Sequence, residues 1–252
     1  MAEPDAQQHC KQPICSALER DNYCGEIDRL NPAETGNVHG PVPSMKSSPN
    51  MTAMPQPLMD TQPYVALDLE YNQPSGTIIQ VGVAIGSASQ SQQEYVIRCW
   101  NLKVDEPISE FITQLTGITD EDCRSGVSLA QCAAELGELL NAHAVFVNPV
   151  TWGGGDSTDL LDAFAQAQVA FPHFGRRWID VKTWATLLSL ARTPNGKVQQ
   201  GGLSKAMARY KLQFLGEAHR ADVDAFNTLR LFFAILARQR TLEACAAQLK
   251  GL

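Results

Sequence analysis

The sequence has no long hydrophobic run. Its longest apolar stretches, such as Leu231 to Ala237, fall far short of the roughly 20 residues that cross a bilayer, so no membrane span is expected. The first fifteen residues carry Glu3, Asp5 and Lys11 without an apolar segment and lack the pattern of a secretory signal. Disulfide signals are missing too. Seven cysteines, an odd number at irregular spacing, predict thiols in a reducing, cytoplasmic setting. His9, Cys10, Cys15 and Cys24 lie close together but match none of the paired zinc-ligand spacings. Aromatic residues are scarce at the N-terminus, where residues 1–61 hold 8 of the 14 prolines and one aromatic, Tyr23. With no sustained period of 2 or 3.6, residues 1–61 predict a disordered proline-rich tail, followed by one domain over residues 62–252.

The net charge of −7 conceals an uneven distribution. Residues 62–175 carry 3 basic against 14 acidic side chains, whereas residues 176–220 carry 9 basic against 2 acidic. An acidic half that gathers cations beside a basic band that meets phosphates accounts for this split; a solvated charged face is the alternative.

Structure is expected to begin at Tyr64. The segments Tyr64–Tyr71, Thr77–Ser87 and Gln93–Leu102 read as three strands joined by short turns, hence an antiparallel meander. Helices follow at Ser109–Leu115 and Ser128–Asn141, then a strand at Ala144–Val147 and a helix at Ser157–Val169. A short strand at Trp178–Val181 leads into a helix to about Arg192; further helices are expected at Leu203–Tyr210, Ala221–Gln239 and Leu242–Leu249. A meander followed by alternating strands and helices predicts an α/β domain, a mixed five-stranded sheet flanked by helices.

Asp68 and Glu70 stand in an otherwise apolar strand. Residues i and i+2 share a face, so both carboxylates project to one spot while Leu67 and Leu69 face the other way. Two like charges side by side need neutralising, and a hard divalent cation such as Mg²⁺ or Mn²⁺ suits an all-carboxylate site. Asp156 follows Trp152-Gly153-Gly154-Gly155, where it stands at a helix N-terminus, as a cap or as a ligand. Asp159 and Asp162 follow at helical spacing as exposed rivals. The run His219-Arg220-Ala221-Asp222-Val223-Asp224 opens an apolar helix. His219 and Asp224 are about 140° apart on a helix, so they reach one site only if His219 lies on the loop before it. An imidazole there suits proton transfer at neutral pH.

These segments, ALDLE at Ala66–Glu70, WGGGDSTDLL at Trp152–Leu161 and HRADVDAFNTL at His219–Leu229, resemble in order and spacing the DEDDh 3′-5′ exonuclease superfamily. LTGIT at Leu115–Thr119 adds to the resemblance, which covers about Tyr64 to Ala237. It implies a ribonuclease H-like fold, with Asp68, Glu70, Asp156 and Asp224 as metal-ligating acids and His219 as general base. The sister branch has a tyrosine four residues before the last acid; this chain has Arg220 there, which favours the histidine branch. Trp152-Gly153 is more similar to Eri-type exoribonucleases than to proofreading subunits. Gly155 departs from the bulky residue often found before the second acid, and Asp222 stands as a rival to Asp224.

The resemblance implies two divalent cations, Mg²⁺ or Mn²⁺, and hydrolysis from the 3′ end of single-stranded RNA or DNA, releasing nucleoside 5′-monophosphates. Arg176, Arg177, Lys182, Lys197, Lys205, Arg209 and Lys211 would steer the backbone. Leu69, Tyr71, Thr116, Gly117 and Ile118 would wedge or stack on terminal nucleotides, with a core role as the alternative for Tyr71. A polymerase-associated proofreading module and a catalytically silent nucleic-acid-binding module are the competing functions. A homodimer is left open by the resemblance.

Overall fold

The first strand, β1 (Tyr64–Tyr71), alternates its side chains between two helical layers. Tyr64 and Ala66 face one apolar cluster, whereas Val65, Leu67 and Leu69 face another. The computed structural model describes residues 60–189, 192, 194–198 and 201–250. Apart from Asp60 and Thr61, the expected tail lies outside them, as do His9, Cys10, Cys15 and Cys24.

β1 pairs antiparallel with β2 (Ile78–Gly86), and β2 with β3 (Val96–Asn101). On its other edge β1 runs parallel to β4 (Val150–Thr151), which is parallel to β5 (Ile179–Asp180). The order is β3-β2-β1-β4-β5, a five-stranded mixed sheet as expected. β2 is buried along its whole length, as a strand covered on both faces must be.

Two short helices, α1 (Glu110–Thr116) and α2 (Asp120–Arg124), follow the meander and close a small cluster of Ile79, Ile108, Ile112, Ile118 and Cys123. The Ser109 hydroxyl caps α1 by accepting from the Ile112 N–H at 3.3 Å. α1 ends at Gly117, whose φ of 76° a side chain would resist. On one face of the sheet lie α3 (Leu129–Ala142) and α4 (Asp156–Gln166), packed through Cys132, Leu136, Leu140, Leu160 and Phe164. On the other face lie α5 (Val181–Ser189), α6 (Leu203–Arg209) and the long α7 (Ala221–Lys250), packed through Val181, Met207, Leu229 and Phe232. Among the described residues no helix is long and apolar enough to cross a membrane. Cys99, Cys123, Cys132 and Cys245 are free thiols.

Four elements differ from the sequence expectation. The fourth strand is Val150–Thr151, not Ala144–Val147. Ala144 takes a left-handed φ of 44°, which interrupts any strand, and Phe146 and Val147 are exposed where Val150 and Thr151 are fully buried. The two helices expected at Ala221–Gln239 and Leu242–Leu249 are one, because neither glycine nor proline intervenes. The Thr241 hydroxyl bonds back to the Ala237 carbonyl at 2.9 Å without breaking it. The helix expected over Ser157–Val169 starts and ends earlier, at Asp156 and Gln166, and α2 is additional.

The seating of α7 on β2 governs the rest. A Cβ on Gly82 would lie 2.0 Å from the Ala221 carbonyl carbon, so the first turn of α7 rests directly on the strand backbone. The Ala221 N–H donates to Gln80 Oε1 at 3.0 Å, and Gln80 Nε2 donates to Asn101 Oδ1 at 2.7 Å. Three strand and helix groups thus fix where α7 begins. Asn227 and Arg230, both buried, tie the preceding loop to the helix. Asn227 Nδ2 donates to the Leu215 carbonyl at 2.8 Å, and Arg230 Nη1 donates to the Gln213 carbonyl at 2.8 Å. Replacing Gly82 with alanine drives a methyl group into backbone, which cannot rotate away. Gly82→Ala is expected to destabilise the protein by about 3 kcal/mol, measured by denaturant unfolding; an unchanged midpoint would show that the first turn of α7 does not rest on this strand.

Candidate active site

Asp68 and Glu70 project from the C-terminal half of β1 toward α7, on the same face as Ala66. The register pairs them with Gly82 and Gln80, the two β2 residues that seat α7. Asp224 lies in the first turn of that helix and so arrives over the same strand. One carboxylate oxygen from each of Asp68, Glu70 and Asp224 lies within 4.8 Å of the others. All three groups are partly buried.

Their electrostatics are those of a site short of positive charge. Burial, then the charges of Asp156, Asp224 and Glu70, holds Asp68 well above the usual carboxylate range. Burial, then Asp224 and Asp156, raises Glu70 to about 7. Asp224 is raised by burial, an effect the His219 N–H partly offsets. That N–H donates to Asp224 Oδ2 at 3.1 Å, while Asp224 Oδ1 is buried with no hydrogen-bond partner. Three converging oxygen donors, repelling one another and leaving an orphaned carboxylate oxygen, fit a hard divalent cation such as Mg²⁺ or Mn²⁺.

Asp156 stands beside this group and outside it. It is the first residue of α4, after Gly155 at the N-cap. Its charge bears on Asp68 and Glu70, but its Oδ1 accepts from Tyr71 Oη at 3.2 Å. Burial raises it to about 6 although the Tyr71 hydrogen bond and Lys182 act in the opposite sense. Asp222, the rival to Asp224, forms an ion pair with Arg220 at 3.3 Å. The geometry groups Asp224, not Asp222, with Asp68 and Glu70.

His219 is exposed on the loop before α7, with a left-handed φ of 66°. It lines a cleft of about 480 Å³ together with Asp68, Leu69, Glu70, Trp152, Lys205, Phe214 and Asp224. Of the other residues expected at the substrate, Leu69 lines this cleft and Tyr71, Thr116, Gly117 and Ile118 do not. Leu69 reaches the cleft but is 5% exposed and belongs to the core on the opposite face. The Tyr71 hydroxyl is bound to Asp156 and to Asp159 Oδ2 at 2.9 Å, not turned toward a base. Thr116 and Ile118 are buried. The Thr116 hydroxyl donates to the Ile112 carbonyl at 2.8 Å and accepts from the Ile118 N–H at 3.1 Å, as the end of α1 requires. Gly117 and Ile118 line a separate cavity of about 380 Å³ with Gln80, Cys99, Asn101 and Arg220. Trp152 and Phe214 in the cleft wall were missed by the sequence reading; Trp152 was legible as the aromatic residue before the glycine run.

The fold is ribonuclease H-like. The chain is similar to the nuclease domain of 3′hExo, a DEDDh family member bound to rAMP, with a TM-score of 0.58 and 16% identity over 71% of this chain and 93% of that one. It is similar to the cell-death related nuclease 4 (CRN-4), with a TM-score of 0.56 and 16% identity over 73% of this chain and 65% of that one. E. coli exonuclease I in complex with a dA16 oligonucleotide follows, with a TM-score of 0.50 and 16% identity over 73% and 42% of the two chains. The chain belongs to the RNase_T exonuclease family, whose model matches residues 65–232, from β1 into α7. No curated protein sequence matches it.

The carboxylate repulsion has a measurable sign. A carboxylate raised on folding leaves stability intact below its unfolded value and removes it as pH rises through the folded value. For Glu70 that window runs from the ordinary 4.5 to about 7. With cations chelated, Glu70→Gln is expected to melt higher than wild type above this window and equally below it, by differential scanning calorimetry. Added Mg²⁺ is expected to reverse the order above the window. Identical melting curves at both pH values would dismiss the repulsion.

Proposed function

We propose that this exonuclease is cation-dependent and works in the 3′-5′ direction on single-stranded RNA or DNA, releasing nucleoside 5′-monophosphates. The observation that carries the reading is the convergence of Asp68, Glu70 and Asp224 in one cleft with His219 on its rim. Asp68, Glu70 and Asp224 would hold the metal, with Asp156 alongside. Two divalent cations bound there supply Lewis acidity to the scissile phosphate and lower the pKa of an attacking water.

The chain's own groups perform the remaining steps. An imidazole nitrogen of His219 takes the proton of the attacking water and passes it to solvent, to which the residue is exposed. The hydrogen bond from its backbone N–H to Asp224 keeps the base in register with the acid cluster. Trp152 and Phe214 give the cleft apolar wall against which a base can stack, and Lys205 supplies a positive charge for the phosphate backbone. The neighbours' complexes with rAMP and with dA16 support a single-stranded terminus in this cleft and leave both sugars in play. The free thiols fit the cytoplasm as its location.

Digestion of matched 5′-labelled RNA and DNA oligonucleotides with Mg²⁺, Mn²⁺ or EDTA tests the reading. A ladder shortening from the 3′ end is expected, abolished by EDTA and by Asp68→Ala, and slowed at least about 100-fold by His219→Ala. Intact strands with both metals, despite binding, would replace the enzyme with a binding module.

A further inference from the structure

Tyr71 is the last residue of β1 and adjoins Glu70, yet its side chain leaves on the opposite face of the strand. Its ring packs against the apolar cluster under α3 and α4, and its hydroxyl emerges at the first turn of α4. There it meets two carboxylates, Asp159 Oδ2 at 2.9 Å and Asp156 Oδ1 at 3.2 Å. A phenol has one proton to donate, and here it is shared between the two carboxylates, the shorter contact being with Asp159. Asp156 and Asp159 are three residues apart on one helix, where like charges repel. The Asp156 charge also bears on Asp68 and Glu70, helping to hold both above the usual carboxylate range. Against those repulsions stand the charge of Lys182 and the one hydrogen-bond donor beside the carboxylate, the Tyr71 hydroxyl.

We propose that Tyr71 is a positioning residue, whose hydroxyl, anchored on Asp159, sets the carboxylate of Asp156 beside Asp68, Glu70 and Asp224 so that it completes the ligand set. The inference rests on the metal-site reading above. It assigns Tyr71 to the enzyme's own carboxylates instead of a substrate base, and Asp159 to the tyrosine instead of the metal. Removing such a supporting hydrogen bond lowers metal affinity or activity by about 10- to 100-fold.

Isothermal titration of the full chain with Mn²⁺, without nucleic acid, reads this directly. Tyr71→Phe keeps the ring and its packing, so its melting temperature with cations chelated checks that the fold is retained. Its Mn²⁺ isotherm is expected to weaken by about 10-fold, and kcat on the better oligonucleotide to fall with KM unchanged. Asp159→Asn keeps an acceptor for the tyrosine and is expected to bind Mn²⁺ as wild type does. Equal isotherms for Tyr71→Phe and wild type overturn the proposal. So does a rise in KM alone, which marks a stacking role, and so does loss of Mn²⁺ by Asp159→Asn, which makes Asp159 itself a ligand. A wild-type protein that takes up no Mn²⁺ overturns the metal site first, and is thereby distinguished from failure of the tyrosine's role.

Discussion

Everything in this domain is arranged around a repulsion. Three carboxylates each bring an oxygen within 4.8 Å of the others, partly out of water, with Asp156 as a further charged neighbour. Such a group is unstable alone, and the fold supplies the compensating force from elsewhere. The apolar clusters on both faces of the sheet, with Val65, Leu67, Leu136 and Leu160 on one side and Val150, Met207, Leu229 and Phe232 on the other, are fully or almost fully buried. Packing forces the acids together, and cations bound as proposed would recover part of what that costs.

The forcing is local in its geometry. Asp68 and Glu70 need only the two-residue period of a strand. Asp224 needs a helix that begins at one place over β2, which follows from the bare backbone at Gly82 and from the amide of Gln80 receiving the Ala221 N–H. The buried pair Asn227 and Arg230 then holds the loop that carries His219. Asp156 arrives by a different route, on a helix from the opposite layer, and this separate origin explains why it stands apart from the other three.

Those differences explain what was legible in the sequence. The pair Asp68 and Glu70 could be read from alternation alone, and the sheet's meander from its turns. Asp224 was preferred to Asp222 through the family resemblance; the helix phase relative to β2, which no local pattern contains, is what groups it with Asp68 and Glu70. The fourth strand was misplaced because two residues, Val150 and Thr151, pair with strands distant in sequence, while the more apolar Ala144–Val147 has no partner strand. Thr116 and Ile118 look like loop residues available to a ligand, but the end of α1 turns both inward. The destination of the Tyr71 hydroxyl depends on α4, 85 residues further along the chain.

The backbone of His219 carries a further meaning. A φ of 66° lies in the left-handed region, which glycine enters at least cost and asparagine, aspartate and histidine enter more readily than other side chains. Glycine would ease the backbone there, whereas the proposed chemistry asks for an imidazole. Under the proposed role, a change to glycine at residue 219 would relax the turn and remove the proton acceptor together.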